Sequence, residues 1–131
     1  MPVETSVTET VVRRHLDALL QQKGVAAIVS DYDEEARFIG EDTIYRGKQQ
    51  IHGFFENFIA ALPVGAIDRF TLRSLWVDRD LAYITWSVGG DIPLGTDTFV
   101  VDNGKIVAQT FAMYATAPHG SSDRSPTGNG T

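Results

Sequence analysis

The 131-residue chain has no cysteine, which excludes disulfides, thiol nucleophiles and cysteine-ligated metals and fits a reducing compartment. Basic residues are scarce as well: 11 Lys and Arg stand against 17 Asp and Glu, for a formal net charge of -6. Arg13-Arg14 is the one basic pair in the sequence, so there is no clustered basic face to meet nucleic-acid phosphates. No apolar run approaches the roughly 20 residues of a membrane span, and the opening MPVETSVTET lacks the basic and apolar regions of a secretory signal. Together these absences predict a cytoplasmic protein with neither nucleic-acid nor membrane partners. The histidines His15, His52 and His119 form no i, i+4 or H-x-H pair, so no metal is expected. Gly-rich phosphate loops and G-x-S-x-G nucleophile elbows are also missing, and no cofactor is expected.

What remains is ordinary for one globular domain: 43% hydrophobic and 21% charged residues. Residues 1–115 read as that domain and 116–131, TAPHGSSDRSPTGNGT, as a flexible polar tail with no apolar anchor. Ser6 and Glu9 have capping-box spacing, and Val12, Leu16 and Leu19 continue a helical stripe as far as Lys23, with Gly24 suited to a left-handed C′ position. A second short helix is expected from Val25 to about Asp31. Strands follow at 36–39 and 44–46, and then a helix carrying Ile51, Phe54, Phe55, Phe58 and Leu62 before Pro63 stops it. Four more strands, 70–77, 81–88, 96–101 and 106–115, predict an antiparallel meander. If Asp78-Arg79-Asp80 forms a three-residue loop, Leu72, Ser74 and Trp76 share a face with Ala82, Ile84, Trp86 and Val88. Gly89 to Gly95 reads as an irregular turn. Helices covering one face of a curved, mainly antiparallel sheet make an α+β fold.

The most informative segment is 95–111, GTDTFVVDNGKIVAQTF. Asn103-Gly104 supplies the two left-handed residues of a type I′ turn, which predicts Val101 opposite Ile106, Phe99 opposite Ala108 and Asp97 opposite Thr110. Asp97 is then a carboxylate in an apolar wall. Facing a cavity, it has its pKa raised by desolvation and becomes a candidate acid/base. The structural alternative is a carboxylate that only accepts hydrogen bonds from its neighbours, since burying it unpaired costs several kcal/mol.

The element order, the string Asp31-Tyr32-Asp33-Glu34-Glu35-Ala36-Arg37-Phe38 leading into Arg46-Gly47-Lys48, and the later Gly104-Lys105-Ile106-Val107 resemble the nuclear transport factor 2-like superfamily, especially its SnoaL-like branch. The resemblance covers about residues 7–115. It implies a cone-shaped half-barrel of three N-terminal helices on a curved sheet, usually dimeric, with a ligand cavity between helices and sheet. Ketosteroid isomerase belongs to the same superfamily, and its oxyanion acid lies in an Asp-x-Phe context that Asp97-Thr98-Phe99 matches. Its oxyanion tyrosine falls at Leu16 and its general base at Gly40, so steroid isomerisation is disfavoured.

Pocket candidates are His15, Tyr32, Phe38, Phe54 and Phe58 from the first half of the chain. Trp76, Trp86, Phe99, Thr110 and Tyr114 join them from the second. Taken singly, each aromatic reads as core; around one acid in a small domain, some of them line a cavity. The leading expectation is an apolar small-molecule pocket with acid/base chemistry at Asp97, of isomerase, cyclase, dehydratase or epoxide-hydrolase type. It needs a second polar group opposite Asp97, for which Tyr32, His15, Tyr114 and Glu41 are candidates. The alternatives are a small-ligand-binding module without turnover, or an interaction domain with a filled interior. The acidic balance favours a neutral or cationic ligand. Val100, Val107, Phe111 and Met113 are expected on the opposite sheet face, where they predict a homodimer.

Overall fold

Ser6 opens the first helix as its spacing with Glu9 predicts: the serine hydroxyl accepts the Glu9 N–H at 3.1 Å. In the computed structural model, which describes residues 6–116, α1 runs over Val7–Leu20 and α2 over Val25–Val29. The helix stops earlier than Lys23 because Gln22, at φ 53°, takes the left-handed position expected of Gly24. Gly24 instead caps α2. The lead-in 1–5, His119 and all of the expected tail except Thr116 lie outside the described residues.

β1 (Tyr32–Ile39) begins four residues before the expected strand, and β2 (Ile44–Arg46) returns antiparallel to it. α3 (Gly47–Ala61) buries Ile51 and Phe55 and ends before Pro63. A short 3-10 turn, Ile67–Arg69, leads into β3 (Phe70–Asp78), β4 (Leu81–Val88), β5 (Ile92–Asp102) and β6 (Lys105–Tyr114). Among the described residues six strands lie in the order β2-β1-β6-β5-β4-β3, and the one parallel pair is β1 with β6. The result is a mixed, mostly antiparallel, curved and unclosed sheet whose inner face is covered by the three helices: an α+β fold. No helix among the described residues is long and apolar enough to cross a membrane.

A shorter turn in one hairpin and a bulge in another overturn the expected registers. In the β3–β4 hairpin Asp78 pairs with Leu81, so the turn is Arg79-Asp80, with Arg79 left-handed at φ 58°. That two-residue turn puts Trp76 opposite Tyr83 and Ser74 opposite Thr85, on the outer face. An extra residue at Arg73 then restores Leu72 opposite Trp86. In the β5–β6 hairpin Val101 faces Ile106 as expected, but Val107 is an unpaired extra residue. Beyond it Phe99 faces Gln109 and Asp97 faces Phe111. A slip of one residue exchanges the faces of everything that follows. Thr110 therefore points outward and is exposed, while Phe111 and Met113 join the inner face.

Candidate functional site

Gly95 is set into β5 opposite Trp86, and a Cβ built there would come 2.2 Å from the indole Cε2. Only glycine lets the indole lie on the strand this closely. That approach brings Trp86 Nε1 to Asp97, two residues along the same face, where it donates to Oδ1 at 2.7 Å. Gln109 Nε2 donates to the other oxygen, Oδ2, at 2.8 Å. Gln109 Oε1 in turn accepts the Tyr32 hydroxyl. Asp97, Gln109, Trp86 and Tyr32 are all buried, and they form one polar network in an otherwise apolar interior.

Burial pushes the Asp97 carboxyl up to about 7, against the opposing pull of the Trp86 and Gln109 hydrogen bonds. The acid therefore changes charge near neutrality. Tyr32 is raised well above its ordinary range, first by burial and then by the charges of Asp97 and Asp31, so its hydroxyl keeps its proton. His15 on α1 is lowered to about 4, because desolvation outweighs the nearby Asp31 carboxylate and the Ile28 carbonyl. Its neutral ring directs Nδ1–H toward Ile28 O at 3.4 Å and packs edge-on against Tyr32, Phe55 and Phe99.

These groups surround a cavity of about 50 Å³ in which His15, Asp97 and Gln109 are the polar wall residues apart from the Trp86 N–H. The expected residues Phe38, Phe54, Phe58, Trp86 and Phe99 also line it. Tyr32 sits behind Gln109 rather than on the wall. Three expectations are corrected by the shorter β3–β4 turn and by the Val107 bulge: the turn leaves Trp76 71% exposed, and the bulge leaves Tyr114 65% exposed and Thr110 facing solvent. Sequence reasoning missed Phe55, Phe70, Gln109 and Phe111. Phe111 was assigned to the outer face, yet its ring lies parallel to Trp86, with 6.3 Å between centroids. The available signal was Gln109 itself, a polar side chain within an apolar strand. Glu41 is not on the cavity wall; its carboxylate accepts the Met113 N–H at 3.3 Å. Among the described residues no three His, Asp or Glu side chains are grouped to hold a metal.

The family model of the SnoaL-like domain matches residues 12–109. The chain belongs to the SnoaL-like domain family. Among solved structures, this SnoaL-like chain is similar to an NTF2-like protein of unknown function from Mesorhizobium loti, with 25% identity and a TM-score of 0.67 over 88% of this chain and 98% of that one. A SnoaL-like protein of unknown function from Burkholderia thailandensis aligns at 16% identity and TM-score 0.69, over 87% and 100% of the two chains. A candidate polyketide cyclase from Sinorhizobium meliloti aligns at 17% identity and TM-score 0.64, over 82% and 99%. At such identities the last two likenesses are of fold. No curated protein matches the SnoaL-like chain. Architecture of this kind hosts many chemistries, so the fold alone does not fix a reaction.

Proposed function

We propose that the SnoaL-like cavity binds a small, largely apolar, neutral or cationic molecule and that Asp97 exchanges a proton with it. The observation that carries this reading is a buried carboxyl on the wall of an aromatic cavity, held by two donors and poised near 7. A group with its pKa near the working pH serves as acid and as base. His15 supplies the second polar group, a neutral ring with one nitrogen committed to Ile28 and the other without a hydrogen-bond partner among the described residues.

Size limits the ligand. Typical small-molecule pockets span about 300–1,000 Å³, against about 50 Å³ here. A wider depression of about 440 Å³ shares Leu19, Leu62, Ala66 and Ile67 with the cavity wall. Movement of the Leu19 and Leu62 side chains would join the two spaces. The small free volume is also the observation that favours another reading, an interaction domain whose interior is largely filled by side chains.

Cyclohexanone is a suitable probe, being compact, neutral and apolar apart from one acceptor. Ionised Asp97 would take an α-proton from the ketone to leave the enolate, the neutral acid would exchange that proton with D2O, and it would return a deuteron to the same carbon. Exchange above the buffer rate in the wild type, lost in Asp97→Asn, supports the proton-transfer reading. Saturable binding without exchange supports the binding-only reading. Absence of both for the wild type overturns the proton-transfer reading for ketones of this size.

The proposal includes a second copy of the chain on the outer sheet face. Its support is the row of apolar side chains left uncovered there, Trp76, Leu81, Tyr83, Leu94 and Tyr114, each more than 40% exposed. Phe111 and Met113 leave the expected interface because the Val107 bulge turns them inward. Val100 stays on the outer face, opposite Leu81, and Val107 is the bulge residue. A cytoplasmic location belongs to the same proposal, supported by the cysteine-free composition.

A further inference from the structure

The amide of Gln109 has two ways to lie. With Nε2 toward Asp97 it donates to a carboxylate; turned over, it presents Oε1 and can only accept from a protonated acid. Which way it lies decides the charge state that the site favours. Asp97 cannot make that choice by itself, since each of its own two states is satisfied by one orientation.

Tyr32 makes the choice. Its ring is 1% exposed, wedged against His15 at 5.4 Å and Phe55 at 6.1 Å between centroids. Among the described residues its hydroxyl has one hydrogen-bond partner, Gln109 Oε1. If the amide turned over, the Tyr32 proton would be left buried without an acceptor, a penalty of about 1–3 kcal/mol for an unsatisfied donor. The hydroxyl therefore holds Oε1 away from Asp97 and keeps Nε2 directed at Oδ2, at 2.8 Å.

We propose that Tyr32 is a positioning residue that acts on Asp97 through Gln109, fixing the amide in the orientation that donates to the carboxylate. This rests on the reading of Asp97 as the proton-exchanging group. The other elements around Asp97 bring few competing influences. α1 contributes the neutral His15; α3 contributes Phe54, Phe55 and Phe58; β4 contributes Ile84 and Trp86; β6 contributes Gln109 and Phe111. Asp31, the residue before β1, is engaged by Arg14 at 2.7 Å. Among the described residues Tyr32 and His15 are the titratable groups beside Asp97; neither carries charge at neutral pH, and the Asp31 charge that acts on both is paired with Arg14.

The test is a carboxyl 13C NMR titration of Asp97 in four proteins: wild type, Tyr32→Phe, Gln109→Met and the double variant. Tyr32→Phe keeps the buried ring and frees the amide, so the Asp97 midpoint is expected to rise by about one pH unit as the neutral acid gains an acceptor. Gln109→Met removes the donor and is expected to raise it comparably. The decisive outcome is non-additivity: adding Tyr32→Phe to Gln109→Met leaves the midpoint where Gln109→Met put it. An unmoved midpoint in Tyr32→Phe, or shifts that sum in the double variant, overturns the proposal. A purely structural role for Tyr32 would lower the thermal midpoint without moving the titration. Because no probe is present, failure here is separate from failure of the proton-exchange reading, which the response to cyclohexanone decides.

Discussion

Trp86 lies directly on Gly95, so closely that a methyl group on the glycine would fall 2.2 Å from the indole Cε2. The contact fixes where the indole N–H points and hence one of the two hydrogen bonds on Asp97. A glycine inside a strand otherwise weakens it; here the close approach is what brings donor to acceptor.

Gly95→Ala is therefore expected to push the indole off the strand. The variant should lose about 1–3 kcal/mol in a denaturant titration, the usual range for overpacking. Its Asp97 should titrate above the wild-type value of about 7, because a hydrogen bond that favours the carboxylate is gone. An unshifted Asp97 midpoint would show that Trp86 does not tune the acid.

The pH dependence of stability separates Asp97 from His15, because their signs oppose. Asp97 is raised from 3.8 to about 7 by folding, so the native state holds a proton that the unfolded state releases, and stability falls as pH rises between those values. His15 is lowered from 6.5 to about 4, so the unfolded state holds the extra proton and stability rises with pH across that range. Each slope is about 1.4 kcal/mol per pH unit, and between about pH 4 and 6.5 they cancel. Asp97→Asn is expected to leave stability rising with pH in that window, and His15→Asn to leave it falling up to about pH 7. Urea titrations at intervals across the window read both slopes; parallel curves for the two variants would refute these assignments.

The outer-face proposal is checked by sedimentation at micromolar concentration. The wild type should run as a dimer, since a standard interface of about 1,600 Å² in total is within reach of a sheet face. Trp76→Glu combined with Tyr83→Glu, an adjacent pair across β3 and β4, should run as a monomer with its fold intact. A monomeric wild type would remove the dimer from the account.

The helix-to-strand order and the hairpin turn at Asn103-Gly104 were legible because each depends on local chemistry: a capping serine, an amphipathic stripe, two residues that tolerate positive φ. Asp97 was legible as a carboxylate out of pattern. Trp86 was legible as a cavity residue, but Gln109 was not, because its facing depends on register, and register turned on a single extra residue at Val107. Without that bulge Thr110 faces the cavity and Gln109 does not; with it the two exchange places. Trp76 was lost from the cavity by a different change of register at the other hairpin, where a left-handed Arg79 made the turn one residue shorter than expected. Nothing in the composition of these strands marks where a residue is inserted or a turn shortened.

The most direct test of the central claim is the carboxyl 13C titration of Asp97 in the wild type, with and without saturating cyclohexanone. The account expects a midpoint near 7 in the free protein and a clear displacement of it when the cavity is filled. A midpoint near the ordinary 3.8, or one that cyclohexanone leaves unmoved while binding elsewhere, would contradict a proton-exchanging role for Asp97.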